Sequence, residues 1–224
     1  MSTTKAKPSS VPRSPPGRGQ TRAALMEAAL RLMGGGRGFT GLGLREIARE
    51  AGVVPNAFYR HFRDMDELGL ALVEETGLTL RRLLREARKS PAPPSEIIRH
   101  SVQIYRQYIR DHRLHILFMA GERWGGSPAI RRAIRMEVHH FAAEMTQDLM
   151  DLRLMRMLDR PRLETVCGLV VNTMLNAAGD LLDLPPGQKA EDELMENFVQ
   201  HLRVIFLGAG IWKSDRPPPS GTPA

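Results

Sequence analysis

The chain has 224 residues, 42% of them hydrophobic, with 32 Lys/Arg against 25 Asp/Glu and a net charge of +7, a length that suits one or two domains with a sizeable core. Its single cysteine, Cys167, excludes an internal disulfide framework and fits a reducing, cytoplasmic setting. No stretch reads as a membrane span or a secretory signal. The charge is unevenly placed: residues 1–63 hold 11 Lys/Arg and 3 Asp/Glu, whereas the remainder hold 21 and 22. A basic N-terminal segment on a neutral body points to a polyanion partner at that end, since a solubility charge would be spread.

Residues 1–19 are rich in Pro, Ser, Gly, Lys and Arg and lack acid, which predicts a disordered basic arm. The arm reads either as a solvated tail or as extra phosphate or minor-groove contact through Arg13 and Arg18. A first helix is expected from about Gln20 to Met33, with Leu25, Ala28, Ala29 and Leu32 as its buried stripe. Gly34-Gly35-Gly36-Arg37-Gly38 looks like a phosphate-cradling loop out of context. No apolar strand precedes it and no Lys-Ser/Thr follows, so it reads as a helix stop. Phe39 and Leu42 then lead inward.

The next stretch, LREIAREAGVVPNAFYRHF (residues 44–62), organises the chain. Leu44, Ile47, Ala48 and Ala51 fall on one face of a short helix. Gly52 supplies the positive φ of a tight turn. Val53 and Val54 are expected to plug the corner, and Pro55 suits the first turn of a new helix. Phe58 and Phe62 point inward. Two helices this short cannot stand alone, so the pattern is a helix-turn-helix packed on the first helix: a DNA-binding domain over residues 20–63.

Asp64 and Glu67 have capping-box spacing and open a helix that runs to about Ser90, roughly 38 Å at 1.5 Å per residue. Ser90-Pro91-Ala92-Pro93-Pro94 breaks it. Further helices are expected at about Ser95–Asp111, Arg113–Glu122, Pro128–Leu152 (capped by Ser127), Asp159–Leu184 and Ala190–Leu207, making about nine in all and no strand. The fold class is therefore all-α, with a helical domain over residues 64–212 and a disordered Pro-rich tail over 213–224. The helix from Asp159 is apolar on most sides, which requires burial all round. With Leu194, Phe198, Leu202, Ile205 and Phe206 of the last helix, it is expected to form a four-helix bundle with a second copy.

The helix-turn-helix resembles the signature of the TetR family of bacterial regulators. Ile47, Ala48, Ala51, Gly52, Val53, Phe58, Tyr59, His61 and Phe62 match it in register, while Val54, Asn56 and Met65 depart from its usual Ser/Thr, Gly and Lys. The run 44–88 and the segments GERWGGSPAIRRAI and HHFAAEM resemble the FabR- and DesT-like branch, which represses genes of unsaturated fatty-acid synthesis. The resemblance covers residues 20–150 well and the rest loosely. It implies a homodimeric repressor on near-palindromic operator DNA that answers to long-chain acyl-coenzyme A, with residues 64–212 as its ligand-binding and dimerisation domain. A repressor of an efflux or catabolic operon answering to another lipophilic molecule is the alternative.

At the first turn of the second short helix, Pro55, Asn56 and Ala57 are expected nearest the base edges. Asn56 can match adenine's donor and acceptor pair, and Pro55 and Ala57 can touch thymine methyls. Tyr59, Arg60 and His61 are expected on phosphates, Tyr59 and His61 because the resemblance implies it, with Arg45 and Arg22 as further phosphate contacts. For the effector, the expected lining is Tyr105, Tyr108, Phe118, Trp124 and Phe141, with Met145 and Met174. Each of these could equally be plain core. Arg123 and Arg131 flank Gly125-Gly126 and read as contacts for the coenzyme's phosphates or as solvated charge. Asn172 and Asn176 read as contacts across a dimer or to a ligand head. No catalytic motif, cofactor site or metal cluster is found. His112 and His115 lie three apart across a helix break, His139-His140 diverge, and Cys167 reads as a small buried residue, so no enzyme is expected.

Overall fold

A computed structural model describes residues 18–89 and 94–212. The expected basic arm before Arg18, the Pro-rich break at 90–93 and the tail from 213 lie outside the described residues. Among those described, every regular element is helical. The helices are α1 (Arg18–Met33), α2 (Leu44–Glu50), α3 (Pro55–Phe58), α4 (Met65–Lys89), α5 (Pro94–Asp111), α6 (Arg113–Glu122), α7 (Pro128–Asp151), α8 (Arg160–Leu182) and α9 (Lys189–Ile211), with a short 3-10 turn at Phe39–Gly41.

Two apolar cores divide the molecule. The first gathers Leu25, Ala28, Ala29, Phe39, Ile47, Phe58 and Phe62 around the start of α4, where Leu68 and Leu72 belong to it. The second fills the body from the far half of α4 through α9. Residues of α4 thus belong to both cores: its N-terminal turns serve the small unit and its C-terminal turns serve the body.

Local chemistry sets the boundaries. The Gly34–Gly38 loop stops α1, with Gly36 at φ +85°. Arg37 ties this loop to α2, donating to Glu46 at 2.5 Å and to the Gly41 carbonyl at 2.7 Å; the loop is a stop and turn. At the start of α4, the Glu67 amide donates to Asp64 Oδ1 at 2.8 Å. The return arm differs from the expected box: the Glu67 carboxylate accepts from the amide of Arg63, not of Asp64, at 2.6 Å. Ser127 caps α7 as expected, accepting from the Ile130 amide, and Asp159, expected as the first residue of α8, caps it by accepting from the Arg162 amide.

An ion-pair ladder joins α4 to α7. Arg81 pairs with Glu137 and, at 3.3 Å, with Glu144; Arg85 meets Glu144 at 2.8 Å; Arg88 meets Asp148 at 2.5 Å. Arg88 and Asp148 are almost wholly buried, so each would be costly without the other. On the opposite flank, α9 is tied to α5 through Glu191, buried between Arg106 at 2.8 Å and Arg110. Burial alone would raise the Glu191 pKa, but hydrogen bonds from Arg106, Arg110 and the Gly187 amide bring it down to about 2.

The helix α8 is long and apolar enough, by length and composition, to cross a membrane. Leu163, Val166, Cys167, Val170 and Val171 are nonetheless buried in the body core. Within one chain α8 is not buried all round: Leu169 remains exposed, as do Val204 and Leu207 of α9, and the expected burial of this face rests on a second copy. Leu152, the last residue expected in α7, is exposed as the residue that closes that helix.

Candidate nucleic-acid interface and effector cavity

The turn between α2 and α3 is built as its residue types require. Gly52 has φ +70°, and the Val53 amide returns to the Ala48 carbonyl at 2.9 Å. Phe58 and Phe62 are buried with ring centroids 5.6 Å apart, which anchors the single turn of α3. Val53 packs half-buried against the core. Val54 does not plug the corner: it is 69% exposed, with the extended backbone of an N-cap. A valine there stands beside Pro55 and Asn56, also exposed, and adds an apolar contact surface that the sequence reading placed inside.

The arginines of this unit divide into two groups. Arg31 pairs with Glu50 at 2.9 Å and Arg37 with Glu46 at 2.5 Å, which locks α1 and the glycine loop onto α2 and neutralises those charges. Arg45, Arg49 and Arg60 are exposed and have no carboxylate partner among the described residues. Tyr59 is 62% exposed and meets Phe58 edge-on, and His61 is half-buried. Arg22 sits with its guanidinium 5.3 Å from the centre of the Phe62 ring and donates to Met26 Sδ at 3.3 Å, so packing fixes its direction. The expected contact residues Arg45 on α2, Pro55 and Asn56 on α3, and Tyr59 and Arg60 just after it are exposed, and Ala57 is half-buried.

The loop after α6 connects this unit to the body. Glu122 is buried, and its Oε1 accepts from the Phe39 amide at 3.1 Å. Ser127 donates to Asp66 in the first turn of α4 at 2.8 Å. Arg131 donates to the Gly125 carbonyl, which holds the loop.

Several cavities open between the helices of the body, and two of them are walled by residues expected to line the effector site. The first, about 230 Å³, is lined by Leu84, Ile98, Val102, Met145, Met174 and Phe198 among others; its few polar neighbours include Ser101 and Arg88, already tied to Asp148. The second, about 320 Å³, lies between α4, α6, α7 and α8. It carries charge at Arg81, Arg123, Glu137 and Asp180 beside Phe141 and Val171. Arg123 donates to Asn172 at 2.9 Å and lies 5.7 Å from the ring of Trp124, itself 82% exposed. Tyr105, Arg123, Trp124, Phe141, Met145 and Met174 thus line one or both cavities.

Three expected lining residues stand elsewhere. Phe118 belongs to the small core, edge-on to Phe39 at 5.3 Å, because α6 turns this face toward the helix-turn-helix. Tyr108 is buried with its hydroxyl on the Thr76 carbonyl at 3.1 Å, and burial pushes its pKa up to about 12. Arg131 serves the loop rather than either cavity. Asn172 meets Arg123 within the chain, and Asn176 lines the second cavity. Burial raises the Cys167 thiol to about 11, which suits a packing residue and not a nucleophile. No group of three or more His, Cys, Asp or Glu that could hold a metal occurs among the described residues.

Comparison with known proteins places these features. The model for bacterial regulatory proteins of the tetR family matches residues 25–72, and the model for the tetracyclin repressor-like C-terminal domain matches residues 94–204. Among solved structures, the chain is similar to Thermus thermophilus FadR, a TetR-family transcriptional repressor in complex with lauroyl-CoA. That match has a TM-score of 0.59 and 23% identity, covering 89% of this chain and 100% of that one. The fatty acid degradation regulator FadR of Bacillus halodurans matches with a TM-score of 0.63 and 14% identity, over 81% and 94% of the two chains. Escherichia coli NemR in its reduced form matches with a TM-score of 0.59 and 22% identity, over 83% and 96%. Similarity at these identities speaks for a shared fold.

Proposed function

This chain belongs to the TetR family of bacterial regulatory proteins, a DNA-binding regulator rather than an enzyme, and from that premise we propose that it is a homodimeric, cytoplasmic repressor whose affinity for a near-palindromic operator is set by long-chain acyl-coenzyme A. The observation that carries the effector class is the pair of cavities, one almost wholly apolar and one with arginines at its wall. An amphiphile with a greasy tail and a polyanionic head fits that division: the tail is hidden from water, and the phosphates meet Arg123, since Arg81 is already held by Glu137 and Glu144. The acyl-CoA complex named for the Thermus relative supports the same class. The genes under control belong to fatty-acid metabolism on this reading, with unsaturated fatty-acid synthesis as the finer proposal carried by the branch resemblance.

Dimerisation follows from the exposed apolar side chains of α8 and α9. Leu169, Val204 and Leu207 face water in a single chain, and a second copy laid across them removes that surface. One short recognition helix reads only about four to six base pairs, so two are needed for a specific site. Ligand then acts by favouring one arrangement of α4, which links the cavities to the helix-turn-helix, through its differential affinity for the two states. A coupling of about 1–3 kcal/mol changes DNA affinity about 5–150-fold. Thermal melting against a panel of acyl-coenzyme A esters and lipophilic cations tests the effector class. Stabilisation by the esters alone supports it. Stabilisation by the cations alone favours control of an efflux operon instead.

A further inference from the structure

The two cavities meet at one side chain. Tyr105 is the residue that lines both, and it is almost completely buried between them. Its hydroxyl donates to the Met174 carbonyl of α8 at 2.9 Å, and its ring lies 6.1 Å from that of Phe198 on α9. That hydrogen bond and that aromatic contact help to hold the ring between the two cavities. On the far side the wall is Val102, Met145, Met174 and Phe198; on the near side it includes Arg81, Arg123 and Asp180.

We propose that Tyr105 is the partition that sets how long an acyl chain the effector cavity accepts, a role that rests on the acyl-ligand reading above. The charged near chamber fixes the direction of an amphiphile, head toward Arg123 and tail toward Tyr105. A short tail ends in the near chamber and leaves the ring in place. A longer tail gains further burial only by entering the far chamber, which requires the ring to give up the Met174 carbonyl and to repack against Phe198. The far chamber is then free to reward each added methylene with burial. Tyr105 acts here as a specificity determinant and touches the chain itself.

The test is calorimetric titration of the full-length protein and of Tyr105→Phe and Tyr105→Ala. Two ligand series are used, acyl-coenzyme A esters and free alkanoates, each with 8-, 12- and 16-carbon chains. Opening the partition with Tyr105→Ala is expected to raise affinity for the 16-carbon chain relative to the 8-carbon chain by tenfold or more. Tyr105→Phe keeps the ring and loses only the bond to Met174, and gives a smaller shift in the same direction. An unchanged length ratio in both variants overturns the proposal, as does an equal loss at every length, which would make Tyr105 an ordinary wall. Failure of both series to bind wild type and variants overturns it too. Binding of alkanoates with the expected shift, but of no coenzyme A ester, upholds the partition and rejects the head-group reading. Should Tyr105→Ala melt too low to assay, Tyr105→Leu carries the same test.

Discussion

Gly69 offers the sharpest test of how α4 is seated. It lies buried in the first turns of α4, where an added Cβ would stand 2.4 Å from Ile130 Cδ1, 3.0 Å from Ile130 Cγ1 and 3.1 Å from Phe39 Cε1. Carbon contacts are favourable near about 3.5–4.0 Å, so the Ile130 side chain must move by more than about 1 Å. Ile130 is itself fully buried and has little space to move into. Overpacking of this kind costs about 1–3 kcal/mol. Replacing glycine by alanine in a helix returns about 1 kcal/mol. Gly69→Ala should therefore destabilise the protein by about 1 kcal/mol net, or about 2–4 °C in melting temperature. Ile130→Val removes the clashing Cδ1 and costs about 0.5–1.5 kcal/mol alone. Combined, the two changes should cost about 1 kcal/mol less than their sum, since the new methyl fills the space left by the old one. Urea denaturation followed by circular dichroism, at one fixed protein concentration, measures all four corners of the cycle. Strict additivity would refute the argument, because it would mean that the added methyl and the Ile130 terminus never compete for space.

Further outcomes follow from the same structure. Asn56→Ala should weaken operator binding by about 1–3 kcal/mol with the salt dependence unchanged, whereas Arg45→Ala should weaken operator and random DNA alike and reduce the salt slope by about one unit; anisotropy titrations at several salt concentrations separate the two. The Glu191 carboxyl lies below its ordinary value of 4.5, at about 2, so its stabilising contribution is complete above 4.5 and is lost as pH falls toward 2. Glu191→Gln should cost on the order of 1–3 kcal/mol at neutral pH and flatten the acid unfolding curve within that window. Asp148→Ala strands the buried Arg88 and should cost about 3–5 kcal/mol, while Glu50→Ala, which breaks an exposed pair with Arg31, should cost under about 1 kcal/mol.

The helices were legible because their signals are local. The glycine run after Met33, the Ser127 and Asp159 caps, and the Gly52 turn each act within a few residues, and all appear where the residue types place them. The last helix was read short. It continues through Gly208 and Gly210 to Ile211, past two residues that each cost about 1 kcal/mol in a helix, because Ala209 finds burial there. Phe118 shows why the cavity was less legible. The aromatic residues of α5 and α6 are alike in sequence, and only the crossing of α6 over the small core decides that Phe118 turns to Phe39 while Tyr105 turns to the cavities. Val54 failed for a related reason: its exposure depends on how the turn presents it, which hydrophobicity alone cannot say. The division of arginines into locked and unpaired likewise needs spatial partners, since Arg37 meets a carboxylate nine residues away.

The central claim is that one chain joins a DNA site to an acyl-chain site. Fluorescence anisotropy of the purified protein on the DNA flanking its own gene, with and without saturated and unsaturated long-chain acyl-coenzyme A, tests it most directly. Operator binding is expected well above that to random DNA, with a change in affinity of about 5–150-fold on adding an acyl ester. Tight operator binding that no acyl ester alters would contradict the claim.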